Sequence, residues 1–226
     1  MSLKTYDDLI QGEPEWFDVR RGMVTASVVG SIITPSTKKP AENMHSRALA
    51  ALIACERINQ WSDDSYVSDD MIRGTVEEPH AINAYTRYNP DVMVTVAGFM
   101  ARDDWGFSIG YSPDGLIDDD GLIEAKSRAP KKHMQTIYAD AVPAENMAQI
   151  QCGLLVSGRA WCDYVSFCGG MRLYVKRVHV DPEWQSAIVA AVEKFEDVVE
   201  DFTRTYYDRV GSNPETERVI EQEIVI

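Results

Sequence analysis

Ser112-Pro113-Asp114-Gly115-Leu116-Ile117-Asp118-Asp119-Asp120-Gly121-Leu122-Ile123-Glu124-Ala125-Lys126-Ser127 is the stretch that decides the fold class of this chain. A strand-like run, Phe107 to Tyr111, leads into it, and Leu122 to Ser127 leads out as a second strand. Asp120-Gly121 between them is a preferred two-residue hairpin signal. Side chains alternate along a strand, so Glu124 and Lys126 share one face while Ile123 and Ala125 share the other. Asp114, near the end of the first strand, then lies beside Glu124. Two adjacent carboxylates repel unless a cation sits between them, and all-oxygen donors suit Mg2+ or Mn2+ rather than zinc. Lys126, one face-repeat beyond Glu124, is placed to orient or acidify an attacking water. The combination suits metal-assisted phosphodiester hydrolysis. A surface hairpin with a solvated salt bridge uses the same residue types. Against it stand the flanking Ser-Pro-Asp-Gly and the apolar residues around Glu124-Ala125-Lys126, because a half-buried strand seldom carries two charges on one face without a use for them.

Upstream, Pro14 to Arg21 reads as a short helix with proline at a tolerated first-turn position. Gly22 ends it, and Thr25-Ala26-Ser27-Val28-Val29 opens a second helix behind a threonine cap. Thr34 to Pro40 is a polar, proline-bounded loop. Ala41 to Ile58 reads as a core helix, with Met44, Ala48, Leu52 and Cys55 on one stripe and Leu49 and Ile53 beside it. Asp69 to Ala81 is helical but contains Pro79. An interior helix proline costs ~3 kcal/mol, so either a new helix begins at Glu78 or the helix kinks there. Val92, Val94 and Val96 alternate as a strand that Phe99 continues.

Downstream, Pro130 opens a helix to Tyr138 bearing Lys131, Lys132 and His133, and Pro143 opens another through Gln151. Trp161 to Phe167 and Leu173 to Val180 read as strands joined by a turn at Gly169-Gly170. From Asp181 a long helix runs to about Arg209, with Trp184, Ile188, Val192, Phe195, Val199, Phe202 and Tyr206 in steps of three and four. The tail, Ser212 to Ile226, mixes acids with Val219, Ile220, Ile224, Val225 and Ile226 and reads as an interface or partner-docking element. With no internal repeat and no linker, residues 1–226 read as one α/β domain, a central mixed sheet flanked by helices.

The 226 residues and 45% apolar content are enough to bury a sizeable core. No stretch approaches the run of about 20 apolar residues that a membrane span needs, and residues 1–8 lack the apolar core of a signal peptide. The cysteines at 55, 152, 162 and 168 form no CxxC pair and sit in apolar contexts, which points to reduced, buried thiols in the cytoplasm. A net charge of −14 weighs against nucleic-acid binding. The charge is unevenly spread, however. Basic islands occur at Arg20-Arg21, Lys38-Lys39, Lys126 with Arg128, Lys131-Lys132-His133, and Arg172 with Lys176-Arg177. Much of the acid lies at Asp63-Asp64, Asp69-Asp70, Asp118 to Asp120 and from Glu193 onward. A polarised chain can be acidic outside and basic along a channel.

The hairpin residues resemble the PD-(D/E)xK nuclease superfamily, and more specifically the lambda exonuclease family of phage recombination nucleases. Trp16, Arg20, Gly22, Thr25, Ala26 and Ser27 match the W-x3-R-x-G-x2-T-A-S segment of that family in order and spacing. The segment around Gly74 resembles its G-x3-E-x2-A helix, with Glu78 at the carboxylate position. The resemblance implies a restriction-endonuclease-like core and an Mg2+-dependent 5′→3′ exonuclease acting on duplex DNA ends, with Mn2+ as a substitute. It assigns Asp114, Glu124, the Ala125 carbonyl and Glu78 to the metal, and Lys126 to catalysis beside Asp114 and Glu124. Arg20, Ser27 and Ser112 would seat a 5′-phosphate, Gln149 would stand beside the metal site, and Met71 would fall at the strand-separating wedge. Ser36 stands where the family has a minor-groove arginine, leaving Lys38 or Lys39 to substitute, and Asn146 stands where it often has an aromatic. The resemblance also implies a homotrimeric ring, its channel lined by residues such as Lys38, Lys39, Lys131 and Lys132, and a single-strand annealing recombinase as partner. Two rivals remain open: a PD-(D/E)xK endonuclease, and a non-catalytic DNA-end-binding recombination module.

Overall fold

Ile123 and Ala125 are buried on one face of their strand and Leu122 and Glu124 on the other, so helices must cover both sides of it. The computed structural model, which describes residues 2–62 and 68–218, shows how. The chain begins with β1 (Leu3–Tyr6), α1 (Pro14–Arg20), β2 (Val24–Thr25), α2 (Ala26–Val29), β3 (Ile33–Thr34) and β4 (Lys39–Pro40). Two long helices follow, α3 (Met44–Asn59) and α4 (Asp69–Tyr88). Then come β5 (Val94–Thr95), β6 (Phe99–Arg102), β7 (Ile109–Tyr111), β8 (Gly115–Ile117) and β9 (Gly121–Ser127). The remainder is α5 (Pro130–Ala139), α6 (Ala144–Ser157), β10 (Trp161–Phe167), β11 (Tyr174–His179) and α7 (Pro182–Val210).

The longer strands form a five-stranded sheet, β11-β10-β9-β8-β5, and a four-stranded sheet, β1-β6-β7-β2. Both are mixed: β9 runs parallel to β10, and β2 parallel to β7, with the other pairings antiparallel. The mixed α/β class expected from the sequence is the one observed. One side of β9 and β10 (Ile123, Ala125, Val165) packs on Ala81 and Tyr85 of α4. The other side (Leu122, Cys162, Tyr164) joins the larger core with α6 and α7.

The hairpin itself departs from the expectation. Phe107–Tyr111 is not its first arm; Ile109–Tyr111 belongs to the four-stranded sheet, and β8 is the partner of β9. Ile117 pairs with Gly121, so residues 118–120 make the turn, with Asp118 in the left-handed region at φ 44°. Gly121 is a strand residue, required because a Cβ there would meet the Trp161 ring at 2.3 Å. The chain therefore changes sheets between Tyr111 and Gly115, and Ser112 and Asp114 sit at that fork.

Other expectations are also revised. In α3 the buried residues are Ser46, Ala50, Ile53 and Ala54, while Met44 is 80% exposed and Leu52 and Cys55 face solvent. Small residues let α3 lie close against α7, whose Val192, Phe195 and Val199 supply the bulk. A bidentate Arg57–Glu196 pair (2.6 and 2.8 Å) ties the same helices. Helix α4 runs through Pro79 as one element. Val94–Thr95 and Phe99–Arg102 are separate strands in different sheets, and Val96 is 92% exposed. Cys152, Cys162 and Cys168 are buried free thiols as expected, whereas Cys55 is exposed. Long α7 keeps the expected stripe, with Trp184, Ile188, Val192, Phe195 and Val199 buried. Asp63-Asp64 and the tail residues from Val219 lie outside the described residues. Among the described residues no helix is long and apolar enough to cross a membrane.

Candidate active site

The fork between the sheets opens into a cleft of about 720 Å3. Its floor is the start of β8 and the end of β9. Asp114 Oδ2 accepts a hydrogen bond from the Ala125 N–H at 2.7 Å, which fixes the carboxylate against β9 beside Glu124. Glu124 is 1% exposed, and Lys126 Nζ lies 2.5 Å from its Oε1. Apart from that ion pair, neither Glu124 oxygen accepts a well-aligned hydrogen bond among the described residues. Burial, and then the neighbouring Glu124, push the Asp114 carboxyl well above the usual carboxylate range. The same two causes, in the same order, raise Glu78, which approaches from α4. Burial alone would lower the Lys126 pKa, but Glu124 and Asp114 together outweigh it and keep the ammonium charged.

This cluster brings together more carboxylate oxygens than its own hydrogen bonds satisfy. Among the described residues, no group of three His, Cys, Asp or Glu side chains forms a ready-made metal cage. An Mg2+ ion does not need one: it binds through one or two carboxylates and completes its shell with water and substrate phosphate. Buried carboxylate oxygens without partners fit such a hard cation, and the absence of sulfur or imidazole fits zinc poorly.

A second group stands on the other prong of the fork. Arg20, from the last turn of α1, stacks over the Trp16 ring at 3.8 Å. Its Nη1 donates to Ser112 Oγ at 2.9 Å, and Trp16 Nε1 donates to the same oxygen at 2.9 Å. Nη2 reaches Thr25 Oγ1 and Ser27 Oγ at 3.5 Å, the limit of hydrogen bonding, and those two hydroxyls lie 3.0 Å apart. Burial pushes the Arg20 guanidinium down to about 10, which still leaves it cationic near neutrality. The turn behind it is braced by α3: Gly22 N–H donates to Glu56 Oε2 and Arg57 Nε donates to Gly22 O, both at 2.7 Å. Gly22 has φ 68°, and a Cβ there would sit 2.7 Å from Arg57 Cγ, so only glycine fits. Thr25 takes the N-cap position of α2 but makes no capping bond, because its hydroxyl faces Ser27. With only four residues, α2 has little dipole; the charge here is that of Arg20.

The residues singled out in the sequence thus converge. Arg20, Ser27, Ser112, Glu78, Asp114, Ala125, Lys126 and Gln149 line one cleft, with Glu124 buried just behind. Met71 is not core; it is 52% exposed at the cleft wall. Lys131 and Lys132 line the cleft, whereas His133 is fully buried, pinned to Ser166 Oγ (2.8 Å) and the Arg172 carbonyl (2.9 Å). Lys38 is placed elsewhere: it contacts Asp181 (3.2 Å) and Glu183 (2.6 Å) at the start of α7, so its charge is already met there. Asn146 is buried and accepts from Arg128. Sequence reasoning missed Arg73 and Ser127, joined at 3.0 Å across the cleft wall, although both lie inside the motifs that carried the resemblance. The lining balances Arg20, Arg73, Lys126, Arg128, Lys131 and Lys132 against Asp70, Glu78 and Asp114. The cleft is therefore locally cationic in a chain of net charge −14.

Comparison with known proteins identifies the family and the fold. An alkaline exonuclease from Laribacter hongkongensis, LHK-Exo, superposes with a TM-score of 0.72 at 28% identity, covering 87% of this chain and all of that one. The same enzyme in complex with dAMP gives 0.73 at 29% identity over the same shares. A phage-related exonuclease from Haemophilus somnus 129PT shares the fold at a TM-score of 0.65 and 12% identity, covering 81% of this chain and 96% of that one. A search of curated proteins found no sequence match. The family model of the YqaJ-like viral recombinase domain matches residues 15–160, a span that holds the Arg20 group, Glu78, the Asp114–Lys126 hairpin and Gln149. The chain belongs to that family, the YqaJ-like branch of the lambda exonuclease nucleases.

Proposed function

We propose that the chain is an Mg2+-dependent 5′→3′ exonuclease. It would degrade one strand of linear duplex DNA from a 5′-phosphorylated end and leave a 3′ overhang for recombination by strand annealing. The family supports an exonuclease acting on DNA. One observation carries the finer reading: an under-partnered carboxylate pair with its lysine shares a cleft with a preorganised arginine–hydroxyl group. The first suits phosphodiester hydrolysis and the second suits a terminal phosphate, so a single cleft both registers the end and cuts beside it. LHK-Exo binds dAMP, a nucleoside monophosphate, the chemical class that end-by-end hydrolysis releases.

In this mechanism Asp114, Glu124, Glu78 and the Ala125 carbonyl would hold the metal, for which Mn2+ would substitute. When bound, the ion supplies Lewis acidity to the scissile phosphate and lowers the pKa of water. Asp114 is held in place by the Ala125 N–H rather than by the ion. Lys126 lies against Glu124 and would act as a hydrogen-bond donor and point charge that orients water and meets developing negative charge. Arg20 and the Ser112, Ser27 and Thr25 hydroxyls bind the terminal phosphate through charge-assisted hydrogen bonds. Gln149 supports the site from α6, and Met71 offers an apolar edge to the end base pair.

The same reading makes residues 1–226 one nuclease unit in the cytoplasm, assembled as a homotrimeric ring around DNA and working with a single-strand annealing recombinase. A closed ring would repeat the cationic cleft around one path and offset the overall charge. The experiment is digestion of linear duplex labelled at either end, with 5′-phosphate or 5′-hydroxyl termini, alongside a covalently closed circle. Mononucleotide release from phosphorylated 5′ ends with the circle intact is expected. Cutting of the circle would make the protein an endonuclease, and no Mg2+-dependent cutting would leave only end binding.

A further inference from the structure

The cleft holds two arginine–serine pairs, and the function above uses only one. Ser112 and Ser127 sit on the two strands that part at the carboxylates. Ser112 leads back into β7 and the four-stranded sheet, whereas Ser127 ends β9 in the five-stranded sheet. Arg20 Nη1 donates to Ser112 Oγ at 2.9 Å, and Arg73 Nε donates to Ser127 Oγ at 3.0 Å. Both arginines line the same cleft, on opposite prongs of the fork.

Arg73 is held from behind. Ser127 Oγ donates its one proton to Glu77 Oε2 at 2.5 Å, which leaves its lone pairs for Arg73. Glu77 thereby orients the hydroxyl, and the hydroxyl orients the guanidinium. On the outer side Nη1 donates to Asp70 Oδ1 at 2.7 Å, but Asp70 is 80% exposed, so this is a solvated ion pair that a better anion can displace. Nη2 has no partner among the described residues, and the side chain stays 36% exposed. A flat fork with unused donors, fixed on one edge and open on the other, matches a phosphate.

We propose that Arg73, positioned by Ser127 and Glu77, is a second phosphate-binding site in the cleft. It takes a backbone phosphate of the strand under attack, at a place in the cleft distinct from the terminal phosphate at Arg20. The identity of the strand rests on the nuclease reading; the phosphate site itself does not. Two anchors of this kind, one against each strand of the fork, would fix the DNA strand in the cleft that Asp114 lines.

The test is binding of a fluorescent linear duplex in EDTA, where hydrolysis is off, across a series of KCl concentrations, with melting curves for each protein. Arg73→Ala is expected to weaken binding about tenfold at low salt and to lower the slope of log K against log salt by about one. The loss should be equal on 5′-phosphate and 5′-hydroxyl ends. Asp70→Asn removes the competing carboxylate and is expected to tighten binding. A folded Arg73→Ala protein with an unchanged salt slope, or weaker binding by Asp70→Asn, would overturn the proposal and make the clasp structural. Should Arg73→Ala fail to fold, Arg73→Gln and Asp70→Asn carry the same readout. The nuclease reading fails separately, through a wild type that does not hydrolyse DNA in Mg2+, and that result leaves the EDTA binding data standing.

Discussion

The two prongs of the cleft are completed to different degrees. Around Arg20 each polar group already has a partner: the guanidinium on Ser112, the indole N–H on the same hydroxyl, Thr25 on Ser27, and Gly22 braced by Glu56 and Arg57. At the carboxylates, Glu124 is buried and, among the described residues, only its Oε1 is met, by Lys126, while Asp114 is held beside it at a cost in like-charge repulsion. The first region is preorganised by the protein alone and, in the proposed function, receives an anion. The second, in the proposed function, is completed by a cation. On that reading the chain tolerates such a cluster because a buried charge that lowers stability persists where it has chemistry to perform.

The strongest way to break this comparison is to remove the cation that the protein supplies itself. Lys126→Met should lower turnover on the order of a thousandfold while the protein stays folded, because a preorganised charge at the reacting centre is lost. Circular dichroism alongside the nuclease assay checks both halves. Near wild-type turnover would mean that Lys126 serves only to neutralise Glu124.

The anion end should respond more weakly and more selectively. Arg20→Ala is expected to cost roughly tenfold on 5′-phosphorylated ends, the value of one charge-assisted contact, and little on 5′-hydroxyl ends. Equal losses on both ends would make Arg20 a packing partner of Trp16 rather than a phosphate ligand.

A smaller effect sharpens the contrast in stability. Asp114→Asn keeps an oxygen to accept from the Ala125 N–H and leaves the Lys126–Glu124 pair intact, while removing one of the two like charges. Without metal it should melt higher by about 2–4 °C, as expected for roughly 1 kcal/mol in a chain of this size. Added Mg2+ should raise the melting point of the wild type and not of the variant. Destabilisation of Asp114→Asn in EDTA would mean that the carboxylate pair carries no repulsion to relieve.

Much of the site was legible because its residues are close in sequence and follow strand alternation. Glu124 and Lys126 share a face, and Asp114 lies beside them, as the pattern required. The family resemblance groups Arg20, Ser27 and Ser112, and the fold places both hydroxyls around the Arg20 guanidinium. What escaped was set by tertiary context. Asp120-Gly121 is a strong turn signal, yet the register set by Ile117 and Gly121 gives the turn to Asp118 through Asp120. The spacing in α3 points to Met44, Ala48, Leu52 and Cys55, whereas the packed face is Ser46, Ala50, Ile53 and Ala54, small because α7 lies against it. Pro79 remains inside one helix, so local propensity was overridden. Arg73 and Ser127 were invisible as a pair because they are 54 residues apart and meet only where α4 crosses the end of β9.

The most direct measurement of the central claim is release of acid-soluble nucleotide from a 5′-phosphorylated linear duplex, comparing wild type with Glu124→Gln in Mg2+ and in EDTA. Glutamine fills the same buried volume but cannot supply the charge that a divalent cation requires. Wild type in Mg2+ should release nucleotide, and the folded variant should release none above the EDTA control. Comparable release by the folded Glu124→Gln protein would contradict the account, because the buried carboxylate would then not be part of the chemistry.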